Sequence, residues 1–449
     1  MFTLALPPDL LHARMQMALS LGWHIVVACF GVAFPPMALF AEWRAHRAQD
    51  QDMNALARTW AKALGVLFAV GAVSGTILSF EMGMLWPGLM ARFGQIYGFP
   101  FTLEGFAFFI EAIFVGVYLY GWDRLPPRLH LLSGFPMIAA GVAGAFFVVA
   151  ANGWMNTPTG FEIRDGQVMN VDPWAGLLNP STAAQSVHMI LAAIMVTGFC
   201  VASVYAVGML RAGTSGPSRY HRLGLLVPLT VAAITAPIQI VVGDWIANMV
   251  AAHQPAKLAA LEALYPSGTH VPLSFGGIYL DGKLVGAIQI PDGLSLLIHH
   301  DPGGFVPGLD RVPAQLRPPV NLTHLSYDLM VAIGFALLAL AAWLGWAWWR
   351  HRDIPRSAWF LRAVALSGAA AVTALEAGWT ATEVGRQPWI VYQILLTRDA
   401  VSTAPGLRIG FYLVLAVYIV LTVMTVYVLR RLARVPEATI APQELETTP

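Results

Sequence analysis

Nine apolar runs, each long enough to cross a bilayer, constrain this chain more than any other feature. They lie approximately at 12–40, 62–86, 99–121, 131–151, 183–210, 223–243, 325–349, 358–383 and 408–430. In hydrocarbon every backbone N–H and C=O needs a partner within the protein, so runs of about 20 apolar residues fold as helices. Only 11% of the residues are charged, against roughly 25% in soluble domains, and 57% are hydrophobic. The expected fold class is an all-α polytopic membrane protein with nine transmembrane helices and a large loop between helices six and seven. A net charge of +1 gives no attraction to nucleic acid. Cys29 and Cys200 both fall inside apolar runs, which excludes a disulfide scaffold and a cysteine-ligated cluster.

The connections alternate in charge. One set carries Arg44, Arg47 and Arg58; Arg124 and Arg128; Arg211, Arg219 and Arg222; Arg350, Arg352 and Arg356; and Arg430, Arg431 and Arg434. The other set is longer and poor in basic residues, with Arg164 alone between Asn152 and Thr182. The positive-inside rule then puts the N-terminus outside, the C-terminus in the cytoplasm and the long loops on the periplasmic side. No basic leader precedes the first run, so insertion is expected to use the first span itself. Residues 1–435 read as one membrane domain and 244–322 as a surface loop within it, without a core of its own. Within that loop Gln254 to Leu264 has helical periodicity, and Asp281-Gly282 reads as a hairpin turn. The polar tail at 436–449 is expected to lack fixed structure.

Ionisable groups inside spans are costly and are retained mainly for chemistry. Glu376 and Glu383 are seven apart in the eighth span, hence on nearly one face and about 10 Å apart along the axis. Arg386 follows one turn later, where it can compensate Glu383 or a bound anion, and Pro388 stops the helix. Glu104 and Glu111 repeat the spacing of seven in the third span, as a proton relay would, or as two protonated packing residues. His24 in the first span reads as a hydrogen-bonded packing residue or as a ligand. His188 and Met330 begin the fifth and seventh spans at similar depth, and a His/Met pair is one way to hold a low-spin haem. Met330 alone, one of 17 methionines, reads equally as core filler. His299-His300 sits in the loop with no metal-ligand partner at a usual spacing and reads as solvated.

Taken in order, these segments resemble subunit I of the cytochrome bd quinol oxidases, over nearly the whole chain from Arg14 to about Arg434. The segments that carry the resemblance are Gln16 through His24, Leu103-Glu104-Gly to Glu111, and Gly121-Trp-Asp-Arg124. They continue with Ala151-Asn-Gly-Trp-Met155, Val187-His188, Lys257-Leu-Ala-Ala-Leu-Glu262, Glu376-Ala-Gly-Trp379 and Gly385-Arg-Gln-Pro-Trp389. The short loop, with Gly308-Leu-Asp and Arg317-Pro-Pro-Val320, resembles the branch called cyanide-insensitive.

The resemblance implies a haem-containing subunit that oxidises quinol on the periplasmic face and reduces dioxygen, building a proton gradient without pumping. It implies two haem b, one low-spin and one high-spin, and one haem d, in the bacterial inner membrane. It also implies a second large subunit and leaves room for a small single-helix accessory subunit. By matching positions, His188 and Met330 hold the low-spin haem iron, while His24 and Glu383 hold the irons of the high-spin pair. Glu104 and Glu111 deliver protons, Trp379 and Arg386 stand near the haem pair, and Lys257 and Glu262 bind quinol. Two departures stand out. Many members have an arginine two residues before the ligand methionine, where this chain has Asp328, and some space the third-helix acids one residue further apart. Two other classes share the acids or the His/Met pair: a haem-free proton-coupled transporter, and a haem b electron-transfer subunit that never meets oxygen.

Overall fold

The computed structural model describes residues 9–212, 218–355 and 357–433. The tail at 436–449, with Arg356 and Arg434 of the basic clusters, lies outside the described residues. Its helices are α1 (Leu10–Ala48), α2 (Gln51–Leu85), α3 (Pro87–Gly121), α4 (Pro127–Asn156), α5 (Pro173–Leu177), α6 (Thr182–Arg211), α7 (Arg219–His253), α8 (Pro255–Leu261), α9 (Gly293–His299), α10 (Val320–His351), α11 (Ala358–Gly385), α12 (Thr397–Ala400) and α13 (Leu407–Leu432). Among the described residues nine of these are long and apolar enough to span a membrane, as the sequence requires. Several outrun their apolar runs. Helix α3 begins at Pro87 rather than near residue 99, because Leu89, Phe93, Ile96 and Tyr97 continue the helical face into a second apolar cluster with Trp154, Ile390 and Val391. Hydropathy marks only the part of a helix that meets lipid.

The spans form two four-helix groups packed side by side. Helices α1 to α4 make one, and α6, α7, α10 and α11 make the other, joined through α1 and α4 against α6 and through α1 against α11. One apolar core runs through both groups. Helix α13 lies outside them against α1 and α2, with most of its side chains exposed.

The charged connections meet at one end of the molecule. Arg219 pairs with Asp50 at 2.6 Å and Asp52 at 2.7 Å, Arg58 with Asp123 at 2.7 Å, and Arg222 with Asp353. The opposite, loop end carries short antiparallel pairs: β1 (Glu162–Arg164) with β2 (Gln167–Met169), β3 (Leu273–Phe275) with β6 (Ile288–Ile290), β4 (Ile278–Leu280) with β5 (Lys283–Val285), and β7 (Trp389–Val391) with β8 (Leu395–Leu396). The turn expected at Asp281-Gly282 joins β4 to β5, with both residues at positive φ (47° and 83°). Contrary to expectation, the large loop does have a small core. Val271, Leu294 and Val306 pack with Leu258 and with Met249 and Val250 at the end of α7. Residues distant in sequence are gathered there by the bridge of Gly268 with Val306 and the Leu294 N–H to Val271 C=O bond at 3.1 Å.

Asp50 links two functions at the arginine-rich end. Its side chain caps α2 by accepting the Met53 N–H at 3.2 Å while bonding Arg219, whose guanidinium holds the carboxyl below the usual carboxylate range. Asp50→Ala should lower stability by about 1 kcal/mol, mainly through the lost cap. The deficit should shrink as pH falls and Asp50 of the parent protein becomes protonated. Thermal unfolding of the two proteins at neutral and acid pH checks both statements.

Candidate functional site

The conspicuous polar feature of the interior is a run of hydrogen bonds at the loop end. Helix α8 packs on α11 because residue 385 is glycine: a Cβ there would lie 3.0 Å from Lys257 Cγ and 3.2 Å from Thr323 Cγ2. Lys257, 3% exposed, donates to Asn156 Oδ1 at 2.6 Å. Asn156 Nδ2 donates to Asn152 Oδ1 at 3.1 Å and to its backbone carbonyl at 3.0 Å. Asn152 Nδ2 donates to Glu383 Oε1 at 2.5 Å, and Arg386 donates to Glu383 Oε2 and to the Ile390 carbonyl. The run Lys257–Asn156–Asn152–Glu383–Arg386 joins α8, α4 and α11. Burial, with the nearby Arg386 charge adding to it, pushes the Lys257 ammonium down to about 7.

Glu262, 4% exposed, leaves the end of α8 in another direction. Its carboxyl lies near the Ser274 backbone N–H, and its Oε2 has no hydrogen-bond partner among the described residues. Burial and then the neighbouring Asp328 push it up to about 8. Beside α8 a cavity of about 480 Å³ opens at the loop end, lined by Pro255, Gly308, Arg311, Arg386, Trp389 and Tyr392 among others.

His24 of α1 bonds Ser74 of α2 through Nδ1 at 2.8 Å. The Ser74 hydroxyl donates to the Val70 or Gly71 carbonyl, at 3.1 and 3.0 Å, so it accepts from Nδ1–H. That fixes the tautomer with the lone pair on Nε2, the form a metal ligand needs. Gly75 makes room for the ring, since a Cβ there would stand 3.1 Å from His24 Cε1. Glu376 faces Gly22 of α1, where a Cβ would come within 2.9 Å of Oε2, and its Oε1 has no partner among the described residues. Glu111 lies against Gly141 of α4 and Gly31 of α1, with its Oε1 at 3.2 and 3.6 Å from the respective Cβ positions. Glu104 is two turns back on the same helix, half-buried like Glu111.

His188 of α6 and Met330 of α10 belong to the second group of helices. His188 Nε2 is 3.2 Å from Gln239 Nε2 on α7, while its Nδ1 and Gln239 Oε1 are buried without partners among the described residues. Glycines border both side chains: a Cβ at Gly243 would lie 3.9 Å from His188 Cε1, and one at Gly378 only 2.7 Å from Met330 Sδ. Orphaned ring and amide atoms, together with glycines where helices would otherwise carry side chains, fit a planar group inserted between these helices. Trp379 follows Gly378 and is partly buried against the main core.

Asn152, Asn156, Ser74 and Gln239 were not assigned roles from sequence, although Asn152 lies within a segment that carries the resemblance. Each is a neutral polar residue in an apolar run, a pattern that also fits helix packing. His299 and His300 are exposed, as read from the sequence, with His299 Nε2 bonding the Phe305 carbonyl at 3.0 Å.

Comparison with known proteins shows the family of the whole chain. Residues 12–436 match the family model described as cytochrome bd terminal oxidase subunit I. A Bacillus subtilis (strain 168) chain assigned to a cytochrome bd menaquinol oxidase as its subunit I is 35% identical over 94% of this chain and 96% of its own. Subunit 1 of a cytochrome bd ubiquinol oxidase from the same organism is 28% identical over 94% of this chain and 93% of its own. The solved bd oxidase structure from Geobacillus thermodenitrificans superposes with a TM-score of 0.87 at 35% identity, covering 95% of this chain and 99% of that one. The chain therefore belongs to the cytochrome bd terminal oxidase subunit I family.

Proposed function

We infer that this subunit oxidises quinol at its loop end, on the periplasmic face, and carries the centre at which dioxygen is reduced to water. The family makes it a haem-containing subunit of a terminal quinol oxidase, integral to the inner membrane and working with a subunit II. That membership sets aside both the haem-free transporter and the electron-transfer subunit without oxygen chemistry. The observation that carries the finer reading is the hydrogen-bonded run from Lys257 to Glu383, which links a residue matched to quinol binding with one matched to an iron ligand.

In this reading His188 and Met330 hold the low-spin haem b, and His24 and Glu383 hold the high-spin haem b and haem d. When bound, these groups supply the one-electron carriers and the iron that binds oxygen. The chain's own residues do the rest. Ser74 holds His24 in the ligating tautomer, and Asn152 and Arg386 hold both oxygens of Glu383. Lys257 is pushed down to about 7 and Glu262 up to about 8, so the deprotonated form of either can take a proton from a hydroxyl of bound quinol and pass it outward. Protons for water formation come from the cytoplasmic side. Tyr118 shares a face of α3 with Glu111 and donates at 2.9 Å to buried Glu42, which His130 approaches at 2.7 Å. Those groups lie between the arginine-rich end and Glu111 and support an inward-opening path ending at Glu104. The arginine clusters support a cytoplasmic assignment for that end. Electrons taken outside and protons taken inside would charge the membrane without pumping. The exposed apolar faces of α2, α3 and α13 leave surface for lipid, for subunit II and for a small single-helix subunit.

A reduced-minus-oxidised visible spectrum of the purified complex tests the cofactor assignment. A low-spin b signal with a far-red band that moves on adding carbon monoxide is expected, and absence of haem would end the oxidase reading. Glu104→Gln should slow oxygen consumption by about 10²-fold with the spectrum intact. Parent-level turnover in that variant rules out its proton role. The efficiency kcat/KM for a soluble quinol should rise between pH 7 and 8 as Lys257 and then Glu262 lose their protons. Glu262→Gln should flatten the upper part of that rise, and an unchanged profile would count against Glu262 as base.

A further inference from the structure

Three side chains at the start of α10 hold backbone of the large loop. Asn321 takes both polar groups of Tyr279, accepting its N–H at 2.7 Å and donating to its C=O at 3.0 Å. Asp328 accepts the Gly276 N–H at 2.6 Å. Between them His324, fully buried, sets Nδ1 2.6 Å from the Leu261 carbonyl and Nε2 2.9 Å from the Gly276 carbonyl, with the Asp328 carboxylate 3.3 Å from Nε2.

All three groups facing this ring are acceptors, so the ring's N–H bonding holds a buried loop carbonyl to α10, and Asp328 lies one helical turn further along the same helix.

The two carbonyls are the ones that govern Glu262. Leu261 closes α8 and is bonded directly to Glu262 in the chain, while Gly276 immediately follows β3, whose Ser274 backbone lies near the Glu262 carboxyl. One ring of α10 therefore stands between the two backbone stretches beside that carboxyl.

We propose that His324 is a positioning residue for quinol oxidation: its buried ring, set between the Leu261 and Gly276 carbonyls, clamps that loop backbone to α10 and thereby fixes the Glu262 carboxyl at the quinol site. The proposal rests on the reading of Glu262 as a quinol-binding residue. Asn321 gives the contrast, because it holds the β4–β5 hairpin through Tyr279 and has no bond to Leu261 or Gly276.

The test uses the purified oxidase complex carrying His324→Gln or Asn321→Ala, with oxygen uptake measured on a short-chain naphthoquinol. A parallel assay uses tetramethyl-p-phenylenediamine, a donor of electrons that carries no hydroxyl proton. For His324→Gln the naphthoquinol KM should rise about tenfold with kcat within about twofold, while the phenylenediamine rate and the visible spectrum stay at parent levels. Asn321→Ala should leave KM within about twofold. A parent KM in His324→Gln overturns the proposal. Loss of spectrum and of both activities together would also overturn it, making His324 a general packing residue. Failure of the unmodified complex to oxidise naphthoquinol or benzoquinol, with phenylenediamine oxidation intact, would instead sink the quinol reading beneath it.

Discussion

An ionisable group enclosed by apolar helices needs a partner within reach, and much of this structure follows from meeting that need at the loop end. Glu383 has each carboxyl oxygen taken, by Asn152 from α4 and by Arg386 from its own helix. Asn152 is in turn bonded by Asn156, and Asn156 by Lys257. Lys257, Asn156 and Arg386 are buried, so each of their bonds is worth more than on a surface and each omission costs more. The orientation of α8 is thus tied to that of α4 and α11, and Gly385 is what lets α8 approach closely enough.

Helix α11, a member of the second group, also reaches side chains of the first. Toward α10 it presents Gly378 to Met330, toward α1 it presents Glu376 to Gly22, and toward α4 it presents Glu383 to Asn152. One helix making all three contacts fixes the spacing of these side chains relative to one another. Glycine does much of the spacing. At Gly22, Gly75, Gly141 and Gly378 a polar or sulfur-bearing side chain from a neighbouring helix stands within 3.2 Å of where a Cβ would be.

The large loop follows another logic. Its small core at Val271, Leu294 and Val306 holds the loop to itself, and the Asn321–His324–Asp328 face of α10 holds it to the membrane domain by its backbone. Backbone recognition of this kind tolerates change in the loop's side chains while keeping its path.

The nine spans, the alternation of basic connections and the hairpin at Asp281-Gly282 were legible in the sequence. They depend on local or near-local physics: lipid cannot pair backbone groups, charge resists translocation, and a two-residue turn needs positive φ. The acids of α3 and α11 were legible as well, since a charge in an apolar run is conspicuous in one dimension. Their partners were not. Asn152, Asn156, Ser74 and Gln239 are neutral residues whose meaning depends on which helix they face, and His324, just ahead of the seventh apolar run, was given no role from sequence. Nothing local distinguishes Val271, Leu294 and Val306 as a core, because they meet only when three separate stretches pair. The sequence by itself determined how many times the chain crosses and which groups lie within the crossings. Tertiary packing alone decided what each of those groups touches, because contacts between helices depend on rotation and approach distance, which no single helix specifies.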